Sequence, residues 1–297
     1  MIRNPGTALR KVLAAPGIAM MPGVYDGISA RVAEQAGFKA LYLTGAGASA
    51  SAIGEPDIGL ATMNDFADNA RRITIKAGIP AVCDADTGFG NQLNVIRTVH
   101  EFEAAGIAAV QMEDQLAPKR CGHLQGKQVI PAGEFVQKIR AAVNEKFFSD
   151  TMIVARTDVR AVSTIEETLE RGKMYIDAGA YILFVEALTT LDEVELVGKE
   201  LGSRVMLMAN QVLGGKTPKL SSKELEQLGY KIVIFPDVLP YGASVLLREI
   251  CDNIMKNGTG YDAIYGQHNT SLDLFLTMGM KSWREKEMEY SEVKNNG

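Results

Sequence analysis

The sequence AVCDADTGFGNQLNVIRTVHEFEAAGIAAVQMED, residues 81–114, contains two short apolar runs separated by an amphipathic stretch. The runs Ala81–Asp86 and Ala108–Asp114 have the composition of buried strands, whereas Asn91–Ala105 has apolar residues at helical spacing. Gly106 follows the amphipathic stretch, where a glycine commonly ends a helix. These residues therefore predict a unit of strand, helix and strand.

The same alternation continues along the chain. Two further helical stretches, Thr164–Ala178 and Ser222–Leu228, are also followed by glycines, Gly179 and Gly229. The remaining strand-like runs are Ile18–Tyr25, Ala40–Gly45, Met152–Asp158, Tyr181–Ala187, Arg204–Gln211 and Lys231–Asp237.

Eight βα units over about 240 residues are typical of a (β/α)8 barrel of the α/β class. The alternative is an open doubly wound sheet, which usually has five or six strands. No linker or change of composition divides the chain, so residues 1–297 are predicted to form a single barrel domain, with residues 259–297 as a helical C-terminal extension.

Composition excludes several classes of protein. The chain has 31 Lys and Arg against 36 Asp and Glu, a net charge of −5 and no basic stripe, so we expect no nucleic-acid partner. Its three cysteines are distant from one another and form no CxxC pair, which favours a reducing, cytoplasmic location over a disulfide framework. No run of about 18 apolar residues is present, so we expect no membrane span.

Two intervals between predicted elements are too long for ordinary βα loops. They are Ala46–Ala61, after the second predicted strand, and Gln115–Ala132, after the fourth. In a barrel both would lie at the C-terminal face, where barrel active sites are found.

Charged and polar side chains cluster where five consecutive predicted strands end. They are Asp84 and Asp86, Glu113 and Asp114, Arg156 and Asp158, Glu186, and Asn210. One such carboxylate alone could cap the following helix, but a barrel would bring all five strand ends to one rim.

Three of these acids predict a metal site. Asp84 and Asp86 are two residues apart, so on a regular strand they would point to the same face and repel each other without a cation or a shared proton. Glu113 on the neighbouring strand completes an oxygen-only set, which favours Mg²⁺, with Mn²⁺ as a substitute, over Zn²⁺. Arg156 among these acids indicates an anionic substrate.

The second long interval contains the sequence Lys119-Arg120-Cys121-Gly122-His123. Two cations before the thiol and an imidazole after it would lower the thiol pKa, which suits a proton donor or a nucleophile. The alternative is a surface cysteine in a polar loop.

Near the second strand, Gly45–Ala50 matches a dinucleotide fingerprint only loosely, and its backbone N–H groups could instead bind a substrate carboxylate.

Six strings, in this order, resemble the isocitrate lyase/phosphoenolpyruvate mutase superfamily over about residues 5–260. They are YLTGAG (42–47), DADTGFG (84–90), MEDQ (112–115), KRCGH (119–123), ARTD (155–158) and FVEA (184–187). The KRCGH string is specific to the carbon–carbon lyase members of that superfamily.

The resemblance implies an α/β barrel, Mg²⁺ dependence and a cytoplasmic homotetramer whose last barrel helix is exchanged between subunits. It implies that Asp84, Asp86 and Glu113 hold the metal. The implied catalytic residues are Cys121 as proton donor, Lys119, His123 and Tyr42. The implied substrate-binding residues are Thr44, Gly45, Ala46, Asp57, Gly122, Arg156, Glu186 and Asn210.

The resemblance also implies a carbon–carbon lyase. Its substrate would be a small 2-hydroxy di- or tricarboxylate of the 2,3-dimethylmalate or 2-methylisocitrate type, cleaved to a 2-keto acid such as pyruvate and a second carboxylate. An oxaloacetate hydrolase or decarboxylase of the same superfamily and a non-catalytic keto-acid-binding protein are the alternatives. The general base stays open among Tyr42, Asp57 and a water on the cation.

Overall fold

The computed structural model describes residues 2–120, 126–259 and 271–291. Within these residues, parallel strands pair in chain order and the last strand returns to the first, which closes a barrel. The strands are β1 Ala19–Val24, β2 Leu41–Leu43, β3 Ala81–Asp84, β4 Ala109–Glu113, β5 Met152–Thr157, β6 Ile182–Val185, β7 Met206–Asn210 and β8 Tyr230–Phe235. The predicted (β/α)8 fold is confirmed, and the open sheet was the wrong alternative.

Helices alternate with these strands along the chain. They are α1 Pro5–Ala14, α2 Gly27–Gln35, α3 Gly45–Ala52, α4 Met63–Thr74, α5 Gln92–Ala104, α6 Ala132–Glu145, α7 Ile165–Asp177, α8 Leu191–Leu201, α9 Ser222–Gln227, α10 Val238–Asn257, α11 Ser271–Thr277 and α12 Met280–Ser291, with a 3₁₀ turn at Val159–Ala161.

Local sequence explains the helix boundaries. The Asn91 side chain accepts hydrogen bonds from the backbone N–H groups of Leu93 and Asn94 and so begins α5. Gly106 has φ of 81°, a left-handed conformation that glycine adopts without steric cost, and it follows the end of this helix.

The strand register aligns polar residues at one end of the barrel. Asp84 lies opposite Gln111, Glu113 lies opposite Arg156, and Arg156 in turn lies opposite Phe184. Because neighbouring parallel strands run in the same direction, the carboxyl ends of β3 to β6 meet at one rim. The rim from β3 to β6 thus brings Asp84 and Phe184 together across 100 positions of sequence.

The opposite end of the barrel is filled by apolar side chains. Leu9 and Leu13 of α1 are fully buried and pack in one cluster with the strand residues Met21, Val82 and Met208. A second cluster lies between the strands and the surrounding helices and includes Phe66, Phe102 and Phe135. Apolar packing therefore leaves the carboxyl-terminal rim for polar chemistry.

The two long intervals contain local structure. The interval after β2 was predicted to be a loop, but helix α3 occupies its first part, with Gly47, Ala48 and Ser49 buried. Gln115 and Val129 form an isolated antiparallel bridge within the second interval. Both intervals start at the carboxyl ends of their strands.

Backbone contacts divide the chain into two compact units, Met1–Pro240 and Tyr241–Gly297. In the second unit, α11 and α12 carry exposed large apolar side chains such as Phe275 and Trp283. Among the described residues, no helix has both the length and the apolar character needed to cross a membrane.

Candidate active site

A cavity of about 70 Å³ opens at the carboxyl-terminal rim of the barrel. This is room for about five or six water-sized groups, which suits a small organic acid. Eight of the residues predicted for the site line it: Tyr42, Thr44, Ala46, Asp57, Asp84, Arg156, Glu186 and Asn210. The other lining residues are the apolar Phe184, Val212, Ile234 and Pro236, and one further acid, Asp237.

The chain turns sharply after β3 and holds two carboxylates close together. β3 ends at Asp84, and Asp86 adopts a left-handed conformation with φ of 47°. The Asp86 N–H donates to Oδ1 of Asp84 over 3.0 Å. The expectation that a regular strand would direct both side chains to one face was therefore wrong, because the strand stops before Asp86 and a turn brings the two residues together.

Asp84, Asp86 and Glu113 are all buried. Burial raises the pKa of each of these carboxyl groups, although nearby cations oppose the rise. Oε1 of Glu113 has no hydrogen-bond partner among the described residues, so a buried acceptor remains available.

This donor set fits a hard divalent cation. It contains carboxylate oxygens only, and its buried acids would be stabilised as anions by a bound cation. Within the described ranges, no three Asp, Glu, His or Cys side chains form a preorganised metal cage. Mg²⁺ keeps several of its waters when it binds and does not require such a cage.

Lys119 connects the second long interval to these acids. Its ammonium is buried and forms ion pairs with Asp57 and, over 2.8 Å, with Oδ1 of Asp86. Burial opposes the charged form, but attraction to Asp86 and other acids outweighs it and raises the pKa of Lys119 well above its usual value. Lys119 therefore stays protonated.

The N-terminus of α3 forms another part of the wall. Thr44 is the N-cap residue, and the first N–H groups of the helix have no partner within it, so they favour an anion. A Cβ atom on Gly45 would lie 2.6 Å from Oδ2 of Asp84, so only glycine allows this close approach.

Tyr42 is a hydrogen-bond donor rather than an anion in this site. Its hydroxyl oxygen accepts a hydrogen bond from Nε2 of Gln111 over 2.9 Å, which leaves the hydroxyl proton for another acceptor. Burial and the nearby Asp84 carboxylate raise the pKa of Tyr42 well above its usual value.

Glu186 and Asn210 lie across the cavity from these groups. Nδ2 of Asn210 donates to Oε2 of Glu186 over 3.0 Å. Oε1 of Glu186 accepts from the N–H of Ala187, which has φ of 62°. Oδ1 of Asn210 has no hydrogen-bond partner among the described residues, so it remains an acceptor in the cavity wall.

Arg156 lies at the centre of a buried group of charges. Its Nε is 2.8 Å from Oδ2 of Asp158 and 3.2 Å from Oε2 of Glu113. Its Nη2 donates to Oδ1 of Asp158 over 3.0 Å and is 3.7 Å from Glu186. Burial opposes the charged form of Arg156, but these carboxylates, Asp158 first, raise its pKa.

The sequence-based site set omitted two buried residues, Asp158 and Lys127. Nζ of Lys127 is 2.7 Å from Oδ1 of Asp158, and neither side chain is more than 2% exposed. Asp158 had a visible signal, because it ends the same strand run as Arg156. Lys127 had none, because its sequence position does not show that it folds back to β5.

Asp114 is a structural carboxylate beside the site. Its Oδ2 accepts hydrogen bonds from Thr157 over 2.8 Å, from Tyr175 over 2.7 Å and from Arg171 over 3.2 Å. Its Oδ1 accepts the backbone N–H of Asp158 over 2.9 Å. Asp114 thereby ties the ends of β4 and β5 to α7.

The predicted residues Cys121, Gly122 and His123 lie outside the described residues. Their sequence neighbours Lys119 and Lys127 are both buried. The other predicted site residues are grouped at the carboxyl-terminal rim, as the strand-end pattern indicated.

The sequence family described as phosphoenolpyruvate phosphomutase matches residues 9–255. The chain belongs to the isocitrate lyase/phosphoenolpyruvate mutase superfamily. It is 40% identical to the 2,3-dimethylmalate lyase of Eubacterium barkeri, over 97% of this chain and 99% of the relative. It is 42% identical to a 2-methylisocitrate lyase of Aeropyrum pernix, over 98% and 92% of the two chains. The predictions of this superfamily and of a carbon–carbon lyase are confirmed.

Solved structures of superfamily members are similar over nearly the whole chain. A crystal structure of 2,3-dimethylmalate lyase gives a TM-score of 0.92 at 36% identity and covers 100% of this chain and 99% of its own. Oxaloacetate acetylhydrolase in complex with 3,3-difluorooxalacetate gives 0.92 at 34% identity, with 97% of both chains covered. Phosphonopyruvate hydrolase in complex with oxalate and Mg²⁺ gives 0.86 at 28% identity, covering 97% and 99%.

Replacing the structural carboxylate tests whether it holds the site together. We expect Asp114→Asn to lower the free energy of unfolding by about 2–4 kcal/mol, because an amide presents a donor to groups that are themselves donors. Urea titration followed by circular dichroism measures this. The control is Asp68→Asn, which removes an exposed ion pair with Arg71 and should change stability by less than about 0.5 kcal/mol. Equal effects of the two substitutions would contradict the role of Asp114.

Proposed function

We propose that this protein is a Mg²⁺-dependent lyase that cleaves the C2–C3 bond of a small 2-hydroxy dicarboxylate of the 2,3-dimethylmalate type. The products would be a 2-keto acid, such as pyruvate, and a second carboxylate. 2-Methylisocitrate is the next candidate substrate, and Mn²⁺ is a substitute for Mg²⁺. The relatives that carry these names support the choice of substrates.

One observation carries the proposal: the cavity combines a buried acidic cluster with a guanidinium and an apolar wall. Among the described lining residues, four carboxylates, those of Asp57, Asp84, Glu186 and Asp237, face the single guanidinium of Arg156. An anionic substrate would be repelled by these acids unless a cation is bound with it. The apolar side chains of Phe184, Val212 and Ile234 suit a methyl-substituted acid better than a third carboxylate.

The residues divide the chemistry among them. Arg156 and the N-terminal N–H groups of α3 would bind carboxylate groups, and Tyr42 would donate a hydrogen bond to a substrate oxygen. When bound, Mg²⁺ lowers the pKa of the substrate's 2-hydroxyl group and offsets the charge of its carboxylate. The raised pKa of Tyr42 disfavours it as the general base, which leaves Asp57 and solvent as candidates.

Cleavage requires one proton to leave and one to be delivered. The 2-hydroxyl proton goes to the base, the C2–C3 electron pair moves to C3, and Cys121 would deliver its thiol proton to C3. Lys119 stays protonated beside Asp57 and Asp86, so its charge would favour the developing enolate-like carboxylate. His123 would be a further catalytic residue, and Gly122 would bind the substrate.

Hydrolysis of oxaloacetate is the second candidate. The similarity to oxaloacetate acetylhydrolase, at 34% identity over 97% of the chain, supports it. This substrate carries a 2-keto group in place of the 2-hydroxyl, so water must first add to C2. The hydrate would then lose a hydroxyl proton to a base as the C2–C3 bond breaks, and C3 would accept a proton. Release of oxalate and acetate distinguishes this activity from lyase chemistry.

A panel of acids tests the proposed activity. We expect 2,3-dimethylmalate or 2-methylisocitrate to yield a 2-keto acid, with turnover lost in EDTA and restored by Mg²⁺, because the buried acids repel the dianion when no cation is present. The measurement is product release, followed by coupled assay for pyruvate, oxalate and acetate. Cleavage of oxaloacetate alone would select the second candidate, and keto-acid binding without turnover of any acid would identify a non-catalytic binding protein.

The proposed proton donor is tested by Cys121→Ser. We expect turnover to fall by about 100-fold or more, because a serine hydroxyl is a much weaker acid than a thiol, while oxalate binding in the presence of Mg²⁺ persists. Turnover assays and titration calorimetry measure the two quantities. Cys251→Ser, at an exposed position on α10, is the matched control and should retain full turnover. Full activity in Cys121→Ser would exclude the thiol as the donor.

We further propose a single barrel domain with residues 259–297 as a helical extension, and a cytoplasmic homotetramer in which the last barrel helix is exchanged between subunits. Exposed apolar side chains on α10, such as Leu247 and Met255, support burial against another subunit. Light scattering should give about four times the chain mass of 32.1 kDa. A monomer at micromolar concentration would contradict the assembly.

A further inference from the structure

Lys127 is a buried lysine that the proposed reaction does not use. Its side chain is 2% exposed and its ammonium is 2.7 Å from Oδ1 of Asp158, which is fully buried. It is absent from the residues that line the cavity. Burying an ammonium is costly unless its charge is compensated, and Asp158 supplies compensating negative charge.

Asp158 is shared between two cations. Its Oδ2 accepts from Nε of Arg156 over 2.8 Å, and its Oδ1 accepts both Nη2 of Arg156 over 3.0 Å and Nζ of Lys127. The three side chains form a row that starts behind the cavity wall at Lys127 and ends in the cavity at Arg156. The two contacts between Asp158 and Arg156 also fix the plane of the guanidinium.

The negative charges around Arg156 explain why a second cation, Lys127, lies next to Asp158. Asp158 by itself would offset the positive charge of Arg156, and Glu113 and Glu186 add negative charge near the same Nε and Nη2 atoms. An Arg156 neutralised in this way would attract a substrate carboxylate weakly. Lys127 adds one positive charge beside Asp158, so the three side chains together carry a net positive charge. Electrostatic interactions over such short distances are strong in an interior that contains little water.

The backbone supports the same arrangement. The N–H of Asp158 donates to Oδ1 of Asp114, and Nη1 of Arg171 donates to the carbonyl of Ile130. Asp158 is therefore fixed by Asp114 at the end of β4. The chain just after Lys127 is fixed by Arg171 of α7. Lys127 and Asp158 meet because both are fixed in the same buried framework.

We propose that Lys127 is a positioning residue for substrate binding: through Asp158 it keeps the guanidinium of Arg156 oriented and electropositive toward the substrate carboxylate. This inference rests on the proposed function in one respect, namely that Arg156 binds a carboxylate. It assigns Lys127 no contact with the substrate.

A double-mutant cycle tests this coupling. The variants are Lys127→Met, Asp158→Asn and the combination of both, and the probe is oxalate in the presence of Mg²⁺, measured by titration calorimetry. We expect Lys127→Met to weaken oxalate binding by at least about tenfold. In the Asp158→Asn background the same substitution should change binding by less than about threefold, because the charge that Lys127 offsets is gone.

Kinetics provide a second readout, with the acid that the substrate panel identifies. Lys127→Met should raise KM by about tenfold with a smaller fall in kcat, because the effect is on carboxylate binding. Lys127→Arg should recover most of the affinity, since it restores the charge. Lys146→Met is the matched control: this lysine donates to the carbonyls of Ser149 and Thr151, so its loss should lower the melting temperature without changing oxalate binding.

The outcomes separate the hypotheses. Unchanged oxalate binding in Lys127→Met, or an equal loss in both backgrounds of the cycle, overturns the proposal. If Lys127→Met does not fold, the comparison of Asp158→Asn with the double variant carries the test, because both lack the carboxylate whose charge Lys127 offsets. A difference in oxalate binding of more than about threefold between these two variants overturns the proposal. If the wild-type protein cleaves no acid in the panel but the oxalate cycle shows the coupling, the proposed function fails and the role of Lys127 stands.

Discussion

The buried ion pair between Arg156 and Asp158 is the interaction on which the site depends. The guanidinium of Arg156 lines the cavity together with several carboxylates. Asp158 accepts two hydrogen bonds from it and so fixes its position. Burial opposes the ionised form of Asp158, but attraction to Arg156 and then to Lys127 outweighs it and lowers the pKa of Asp158 to about 2. Both partners therefore stay charged throughout the neutral range, and neither could be buried without the other.

The remaining acids of the site are arranged differently from Asp158. Burial raises the pKa of Asp84, Asp86 and Glu113. Lys119 reduces that rise for all three groups, and Arg156 reduces it for Asp84 and Glu113, without abolishing it. Burial of these carboxylates lowers the stability of the fold, which is common for groups that bind a ligand. Asp114, by contrast, accepts four hydrogen bonds and stabilises the framework behind them. The rim thus contains one set of acids that builds the site and another that is available for chemistry.

Sequence reasoning predicted the barrel and most of the rim. Seven of the eight apolar runs contain an observed strand, as with Met152–Asp158 and β5 at Met152–Thr157, and β8 starts one residue before the eighth run. The agreement arises because parallel strands buried on both faces are apolar throughout. The sequence also predicted that Arg156 and Asn210 lie in one site, because all strands of a parallel barrel end at one face. It failed at helix α3, where small residues gave no amphipathic signal, and at the turn after Asp84, where left-handed backbone replaces the strand.

By itself the sequence determined the period of the elements, the apolar core and the residue types at the strand ends, because these follow from local spacing and burial. Only the tertiary structure decided which charges meet. Lys119 pairs with Asp57 across 62 positions and Lys127 pairs with Asp158 across 31, and no local pattern specifies either partner. Such pairs form where barrel closure removes water from several ionisable groups at once. Each buried charge is then stabilised by the oppositely charged or hydrogen-bonding side chains that the fold places next to it.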